Sequence, residues 1–346
     1  MKKKRVTLKD ISDRVRVSTT AVSLTLNDDR SVILSETTRQ IIKKTAIEMG
    51  YDFSRLERRR KENRNVLYVT DNWNMNHIST SFFSNVAVQL KRMLFQEGYR
   101  LIESEFNGED SERLKFLVES YPRIIVTSSF RFINALNRFN SQIPIIFLQG
   151  ELNLLPENQQ ATILMVDDKR VGELAAGELL NRNACNCALV FPSDSIRSVR
   201  QRLEGFTSVW SKTKRNMEPL YIPDFETVDF DKLDSILQYR IGDFDSYYFY
   251  SDALALYGLR IFHNAGLSVP EDILVIGTDN LYWGEYTIPS LTTMDLKESQ
   301  FAGFILKEVL LGEKVTLQSK SAVIYSIQPK LIVRESTSGP NSVLSI

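Results

Sequence analysis

The chain has 346 residues, 43 Lys and Arg balanced by 43 Asp and Glu, and two cysteines. At roughly 100–200 residues per domain this allows two or three domains with room for substantial cores. Two cysteines exclude a disulfide framework, and no apolar run approaches the ~20 residues of a membrane span. Cys185 and Cys187 form a C-x-C pair without neighbouring His, a poor zinc site, and both read as packing residues near a strand. Met1-Lys2-Lys3-Lys4-Arg5 is charged but no apolar segment follows, so it does not read as a signal peptide, and a cytoplasmic protein is expected. The zero net charge hides a split. Residues 1–64 hold 17 Lys and Arg against 9 Asp and Glu, whereas residues 65–346 hold 26 against 34. A basic head on an acidic body suits a nucleic-acid-binding module joined to a soluble domain; a solvated basic tail is the plainer reading.

Three short helices are predicted in the head. Thr7 can cap the first, Asp10 favours its positive end, and Leu8, Ile11 and Val15 share one face. Ser18 is the next N-cap, and a second helix follows through about Leu26, with Val22 and Leu26 inward and Asn27 ending it. So short a connection between two helices is the helix-turn-helix arrangement. A third helix starts at Ser35, carries Ile41, Ile42 and Ala46, and ends at Gly50 in the C′ position. Thr19, Thr20 and Ser23 lie where a recognition helix meets base edges. Hydroxyls at a helix start serve as base contacts or as caps, and both readings stand on the residues.

From Asn65 short apolar strands alternate with amphipathic helices. Strands are predicted at Val66–Thr70, Arg100–Ser104, Ile124–Thr127, Ile145–Leu148, Ile163–Val166, Cys187–Phe191, Tyr247–Tyr250, Ile273–Gly277 and Ala322–Ile327. Helices are predicted at Phe83–Gln96, Lys169–Leu180, Leu203–Lys212 and Leu254–Ala265. The alternation predicts parallel sheets covered on both faces, and nine strands suit two sheets. No dinucleotide fingerprint, P-loop or G-x-S-x-G elbow occurs. The two histidines are His77, without a nucleophile motif beside it, and His263, read as a structural mid-helix residue next to Phe262. The chain therefore reads as a binding protein and not an enzyme, with no metal and no cofactor.

The stretch from Val6-Thr7-Leu8-Lys9-Asp10-Ile11 through Val17-Ser18-Thr19-Thr20-Ala21-Val22-Ser23-Leu24-Thr25-Leu26-Asn27 resembles the opening of the lactose/galactose repressor (LacI/GalR) family. Ser35-Glu36-Thr37-Thr38-Arg39 and Met49-Gly50-Tyr51 continue the match. In the body, Arg202-Leu203-Glu204-Gly205-Phe206 looks like the family's R-x-x-G-F signature. So do Ser251-Asp252, Gly266 to Ile273, Ile276-Gly277-Thr278-Asp279-Asn280, Ile288-Pro289-Ser290-Leu291-Thr292-Thr293 and Pro329 to Ser336 at their own motifs. The resemblance implies an all-α helix-turn-helix domain over 1–50, a hinge over 51–64, and a two-lobed periplasmic-binding-protein-like sensor over 65–346 that also dimerises. It implies a repressor of sugar-utilisation genes, bound to a pseudo-palindromic operator and governed by a sugar-like effector between the lobes.

Carried over by position, Thr7, Ser18, Thr19, Thr20, Ser23 and Asn27 become DNA contacts, with Arg60 and Leu56 in the hinge. Leu24 stands where the family usually has Arg, and Arg60 where it places a minor-groove leucine. Leu56 lies one turn before Arg60 and could wedge instead; a flexible basic linker over Arg58-Arg59-Arg60-Lys61 is the alternative. For the effector the resemblance selects Phe82, Gln149, Arg202, Ser251 and Asp279, Ser251 replacing the usual Asn. Arg202 supplies a donor fork and Asp279 only accepts, a pairing suited to vicinal hydroxyls; an ordinary salt bridge is the other reading. Phe82 would stack on a sugar ring or sit in the core. The tail over 340–346 shows no sustained heptad, which favours a homodimer over a tetramer. Two rivals remain: a regulator controlled by a partner protein, and a transport-type sugar-binding protein.

Overall fold

The computed structural model describes residues 6–26, 34–53, 64–71, 81–106, 111–119, 124–136, 143–151, 155, 161–193, 195–222, 230–311 and 323–339. In the head, α1 (Leu8–Val15) opens with a capping box. The Asp10 amide donates to Thr7 Oγ1 at 3.3 Å and the Thr7 amide donates to Asp10 Oδ2 at 2.7 Å. Two amide donors that the helix start leaves without partners are thereby satisfied. Ser18 Oγ accepts from the Ala21 amide and opens α2 (Thr19–Leu26), and Ser35 caps α3 (Glu36–Glu48) in the same way. Ile11, Val22, Leu26, Ile42 and Ala46 form one small core among the three helices. Gly50 takes a left-handed φ of 72° past the end of α3, and the Tyr51 amide donates back to Ala46 O.

Arg16 holds the same left-handed conformation at the end of α1, with φ 59°. Ser12 Oγ donates to Val17 O at 2.6 Å and ties this turn shut. A side chain with a Cβ is disfavoured there by about 1 kcal/mol. Arg16→Gly is expected to raise the head's stability by roughly that amount, read as slower amide exchange across α1 to α3. Unchanged or faster exchange would mean that the arginine's own contacts outweigh the backbone strain.

The body supplies β1 (Asn65–Asp71), α4 (Ser81–Gln96), β2 (Arg100–Phe106), α5 (Ser111–Glu119), β3 (Ile124–Thr127), α6 (Phe130–Leu136), β4 (Ile145–Leu148) and β5 (Ala161–Val166). There follow α7 (Asp168–Asn181), β6 (Asn186–Phe191), α8 (Arg197–Trp210), β7 (Asn216–Tyr221), α9 (Phe230–Arg240), β8 (Ser246–Phe249), α10 (Asp252–Asn264) and β9 (Leu274–Ile276). A 3₁₀ turn at Tyr282–Glu285, β10 (Thr293–Asp295), α11 (Glu298–Leu311), β11 (Val323–Ile327), β12 (Lys330–Ile332) and α12 (Glu335–Ser338) complete it.

Two compact units result. Met1–Asp71, Lys91–Ile163 and Ile305–Val323 form the first; Asn72–Leu90, Leu164–Phe304 and Ile324–Ile346 form the second. One sheet has the order β11-β5-β4-β3-β1-β2, with β1 parallel to β2 and β3, and β3 parallel to β4. A second is wholly parallel, in the order β7-β6-β8-β9, and beyond the two sheets expected, β10 and β12 form a small antiparallel pair. β3, β4 and β8 are buried along their whole length, as parallel strands covered on both faces must be. In the second unit an aromatic layer fills the core: Tyr247 lies 4.6 Å from Phe262, and Phe191 5.2 Å from Tyr248.

The structure departs from the sequence expectations in three places. Strands β7, β10 and β12 come in addition to the predicted ones. β7 is an edge strand whose Pro219 is tolerated because only β6 pairs with it, and the other two span three residues each. Helix α8 begins at Arg197, six residues before the expected Leu203, because Val199, Arg202, Phe206 and Trp210 make one buried stripe in which the arginine masks the apolar period. Arg202 therefore sits inside a helix, not at the end of a loop. Finally, Cys187 is buried in β6, and burial pushes its thiol pKa up, but Cys185 just before the strand is exposed and packs nothing. His263 lies exposed in the last turn of α10, where a cation would suit the helix dipole.

Candidate functional site

The second unit gathers charge at the start of α7. Asp167 caps that helix by accepting from the Arg170 amide, and Asp168 follows with no exposed surface. Two arginines of α8 converge on it. Arg202 Nε donates to Asp168 Oδ1 and Arg197 Nη2 donates to Asp168 Oδ2, both at 3.0 Å. Arg202 Nη1 donates to Tyr250 O at 3.0 Å, and its guanidinium lies 4.6 Å from the centre of the Tyr250 ring. Ser198 Oγ and the Tyr250 hydroxyl are 3.0 Å apart, which orients that ring. Burial alone would lower the pKa of Arg202, but Asp168 opposes this and the group stays charged above its ordinary value. The side chain is thus held rigidly between Asp168 and Tyr250, and a guanidinium so fixed suits recognition of an acceptor.

α7 and α8 approach closely because each carries a glycine at the crossing. A methyl group added to Gly172 would lie 2.7 Å from the Phe206 amide nitrogen and closer still to the Arg202 carbonyl oxygen. One added to Gly205 would meet the backbone of Lys169. The glycine of the R-x-x-G-F motif therefore lets two backbones touch, and that contact brings Asp168 to Arg202.

Of the remaining effector candidates of the second unit, Ser251 and Asp279 lie beyond the ends of β8 and β9, and Phe82 at the start of α4. Ser251, buried, caps α10 by accepting from the Leu254 amide at 3.4 Å. Asp279 is buried at φ 113°, donates its amide to Met294 O at 2.9 Å, and adds a negative field at Arg202. Phe82 is buried edge-on to Phe83 and Phe301, at 5.2 and 5.0 Å. Gln149 belongs to the first unit, half-buried just after β4 with φ 53°. Residue-type reasoning missed Asp168, Arg197 and Tyr250. The usable signal was an Asp-Asp pair directly after an apolar strand, at a helix start.

Asp252 closes the loop that carries Asp279. Its carboxylate accepts from Thr293 Oγ1 at 2.6 Å and from the Leu281 amide at 2.7 Å. Burial pushes its pKa up to about 7, with the charge of Glu298 adding to the rise, and the two hydrogen bonds and Arg334 opposing it. A carboxyl that binds its proton more tightly folded than unfolded adds stability that is complete below its ordinary value near 4. That contribution is lost as pH rises through about 7. Urea midpoints of the second unit are expected to fall over this window, and Asp252→Asn to flatten the fall. A variant keeping the full slope would assign it to another group.

In the head, Thr19 and Thr20 are exposed on the first turn of α2 and Ser23 is half-buried. The Thr7 and Ser18 hydroxyls are engaged as caps. Asn27, Leu56 and Arg60 lie outside the described residues, as does His77. Among the described residues no group of three or more His, Cys, Asp and Glu could hold a metal ion, and no helix is long and apolar enough to cross a membrane.

Residues 176–337 match the family of periplasmic binding protein-like domains. Over 344 residues the chain is 25% identical to the HTH-type transcriptional repressor PurR of Aliivibrio fischeri, covering 95% of this chain and 98% of that protein. Its fold is similar to that of the transcriptional regulator CelR in complex with cellobiose, with TM-score 0.61, 19% identity, and 96% and 100% of the two chains covered. The lac repressor dimer bound to operator and the anti-inducer ONPF gives TM-score 0.62 at 19% identity, covering 96% of this chain and 99% of that one.

Proposed function

We propose that this chain is a member of the lactose/galactose repressor family, a DNA-binding transcriptional repressor whose operator affinity is set by a small polar effector held in its α/β body. The observation that carries the reading is the pairing of an exposed, capped second helix, with Thr19 and Thr20 outward, to a buried arginine held rigidly by Asp168 and the Tyr250 carbonyl. In this reading residues 1–50 read the operator, 51–64 form the hinge and 65–346 sense the ligand and dimerise. Thr19, Thr20 and Ser23 touch base edges; Thr7, Ser18 and Asn27 hold the backbone; Arg60 and Leu56 enter the minor groove. Arg202 and Asp279 bind the effector, and Phe82, Gln149 and Ser251 are its further contact residues. The molecule catalyses nothing and works in the cytoplasm, where its DNA is.

A homodimer would present two such helices to half-sites about one DNA turn apart. The surface that suits a second copy is the exposed cluster of Tyr282, Trp283, Tyr286 and Ile288, since apolar side chains crowded on a surface mark interaction sites. Trp283→Glu is expected to convert dimer to monomer in sedimentation and to weaken operator binding sharply. A variant that sediments as a dimer places the interface elsewhere.

Effector and operator act on one equilibrium, so each changes the other's affinity by the same factor. The decisive experiment is to retain fragmented genomic DNA on the purified protein at moderate salt and sequence it. Recovery of sites sharing one pseudo-palindrome supports the reading. Retention without a common site removes the sequence-reading role. Specific retention that no small molecule alters transfers control to a partner protein, and ligand binding without DNA retention leaves a transport-type binding protein.

A further inference from the structure

One buried acid in the second unit takes no part in the Asp168–Arg202 cluster. Glu298 opens α11, is 8% exposed, and its Oε1 is buried without a hydrogen-bond partner among the described residues. An ionised carboxylate so placed is destabilising unless something with a proton to donate arrives. The cation beside it in the chain is already engaged: Lys297 Nζ donates to Asp295 Oδ2 at 2.6 Å. Lys297 also has a left-handed φ of 64°, stabilised by its amide donating to Asp295 Oδ1 at 2.8 Å. The backbone is therefore strained at the residue that sets the direction in which Glu298 leaves the loop. Strain and an unmatched buried charge together are features that function retains against stability.

The surroundings tie Glu298 to the effector candidates. Phe301, one turn along α11, lies edge-on against Phe82 at 5.0 Å. Asn85, one turn along α4 from Phe82, is the side chain that best stabilises the charged form of Glu298. Asp279 bonds to Met294 on the strand that leads into α11. Asp252 and Asp295 add negative field at this place, and Arg334 is committed to Leu291 O and Asn280 Oδ1. A neutral hydroxyl could fill the missing hydrogen bond but would leave the excess negative charge; a protonated amine answers both.

We propose that Glu298 is an effector-contacting residue whose Oε1 takes an N–H of a basic amine, so that the effector is a polar ring compound carrying an ammonium group. This rests on the reading of the chain as a small-molecule sensor. It makes the recognition two-ended: Arg202 offers donors to the ligand's acceptors, and Glu298 accepts from its amine.

Two measurements on the full chain test this. The first needs no ligand. Glu298→Leu and Glu298→Gln are expected to melt higher than the parent protein, by roughly 2–4 °C, because each removes an unmatched charge. Melting several degrees lower in both variants would show a structural carboxylate with a satisfied role, and would overturn the proposal. The second uses matched probes, D-glucosamine and D-galactosamine against D-glucose and D-galactose, at millimolar concentration, read by thermal shift and calorimetry. The amines are expected to bind the parent protein and to lose about 10- to 100-fold in affinity in Glu298→Leu. Neutral sugars binding as tightly as the amines, with affinities the substitution leaves alone, would overturn the Glu298 assignment while leaving the sensor reading intact. Binding by none of the four, with operator recognition unaffected by any of them, counts against the sensor reading itself and removes the Glu298 proposal with it.

Discussion

Asp168→Ala lowers the unfolding free energy of the second unit by about 3–5 kcal/mol, because it leaves a buried arginine charge without its counter-ion. The magnitude follows from burial. The Asp168 side chain has no exposed surface and that of Arg202 has 4%. After the substitution Arg202 keeps the Tyr250 carbonyl, the face of its ring and the weaker field of Asp279. The exposed pair between the same two helices behaves differently. Lys169 and Glu204 approach to 2.6 Å, but both side chains are about half in solvent, so water screens the pair and deleting it costs little. Added salt should erase the second loss and spare the first. Replacing both members, Asp168→Leu with Arg202→Met, is expected to recover most of the stability while abolishing the response to effector. That outcome would separate what the ion pair contributes to the fold from what it contributes to recognition. Urea titration read by intrinsic fluorescence measures all three variants. A loss below about 1 kcal/mol in Asp168→Ala would mean that water reaches Arg202 and that it is not a rigid donor.

Gly205→Ala and Gly172→Ala are the second pair of large effects. Both glycines lie within helices, where glycine is less stable than alanine by about 0.5–1 kcal/mol, so local propensity alone favours the substitution. Packing reverses the sign. Each added methyl group meets the backbone of the opposite helix, which cannot rotate away as a side chain would. Overpacking of this kind costs typically 1–3 kcal/mol and more when backbone must move. The movement would part α7 from α8 at the level of Asp168 and Arg202, four and three residues from the glycines, so effector binding should fall together with stability. Gly177 provides the control on α7 itself. A methyl group there has nothing within 4 Å, and Gly177→Ala should stabilise by about 0.5–1 kcal/mol. If all three substitutions behaved alike in the urea titration, the crossing would not be as close as described.

How much of the molecule is legible in the chain depends on the range of the interaction. The head can be read almost entirely, since Thr7 with Asp10, Ser18 with Ala21 and Ser35 with Thr38 are contacts three residues apart. Their geometry is a property of any helix start. The buried parallel strands are legible as short apolar runs, because burial on both faces leaves a run with no polar interruption. β7 is not, because an edge strand accommodates Asn216, Glu218 and Pro219 without the pairing that would exclude them.

At the site, motif resemblance singled out Arg202 and Gly205 but said nothing of why they stand three residues apart. Asp168 lies 34 residues before Arg202, and Tyr250 48 residues after it. Glu298 carries no motif at all, and its unmatched oxygen is visible only once its neighbours are in place. The sequence by itself determined the three capped helices of the head, the alternation of strands and helices in the body, and the resemblance of both to one family. Local periodicity and near-neighbour hydrogen bonds specify those features. Only the tertiary structure decided which acid meets Arg202, that two glycines permit the meeting, and which buried carboxylate keeps one oxygen without a hydrogen bond among the described residues. Each depends on groups far apart in the chain being desolvated together, and no pattern along the chain encodes that coincidence.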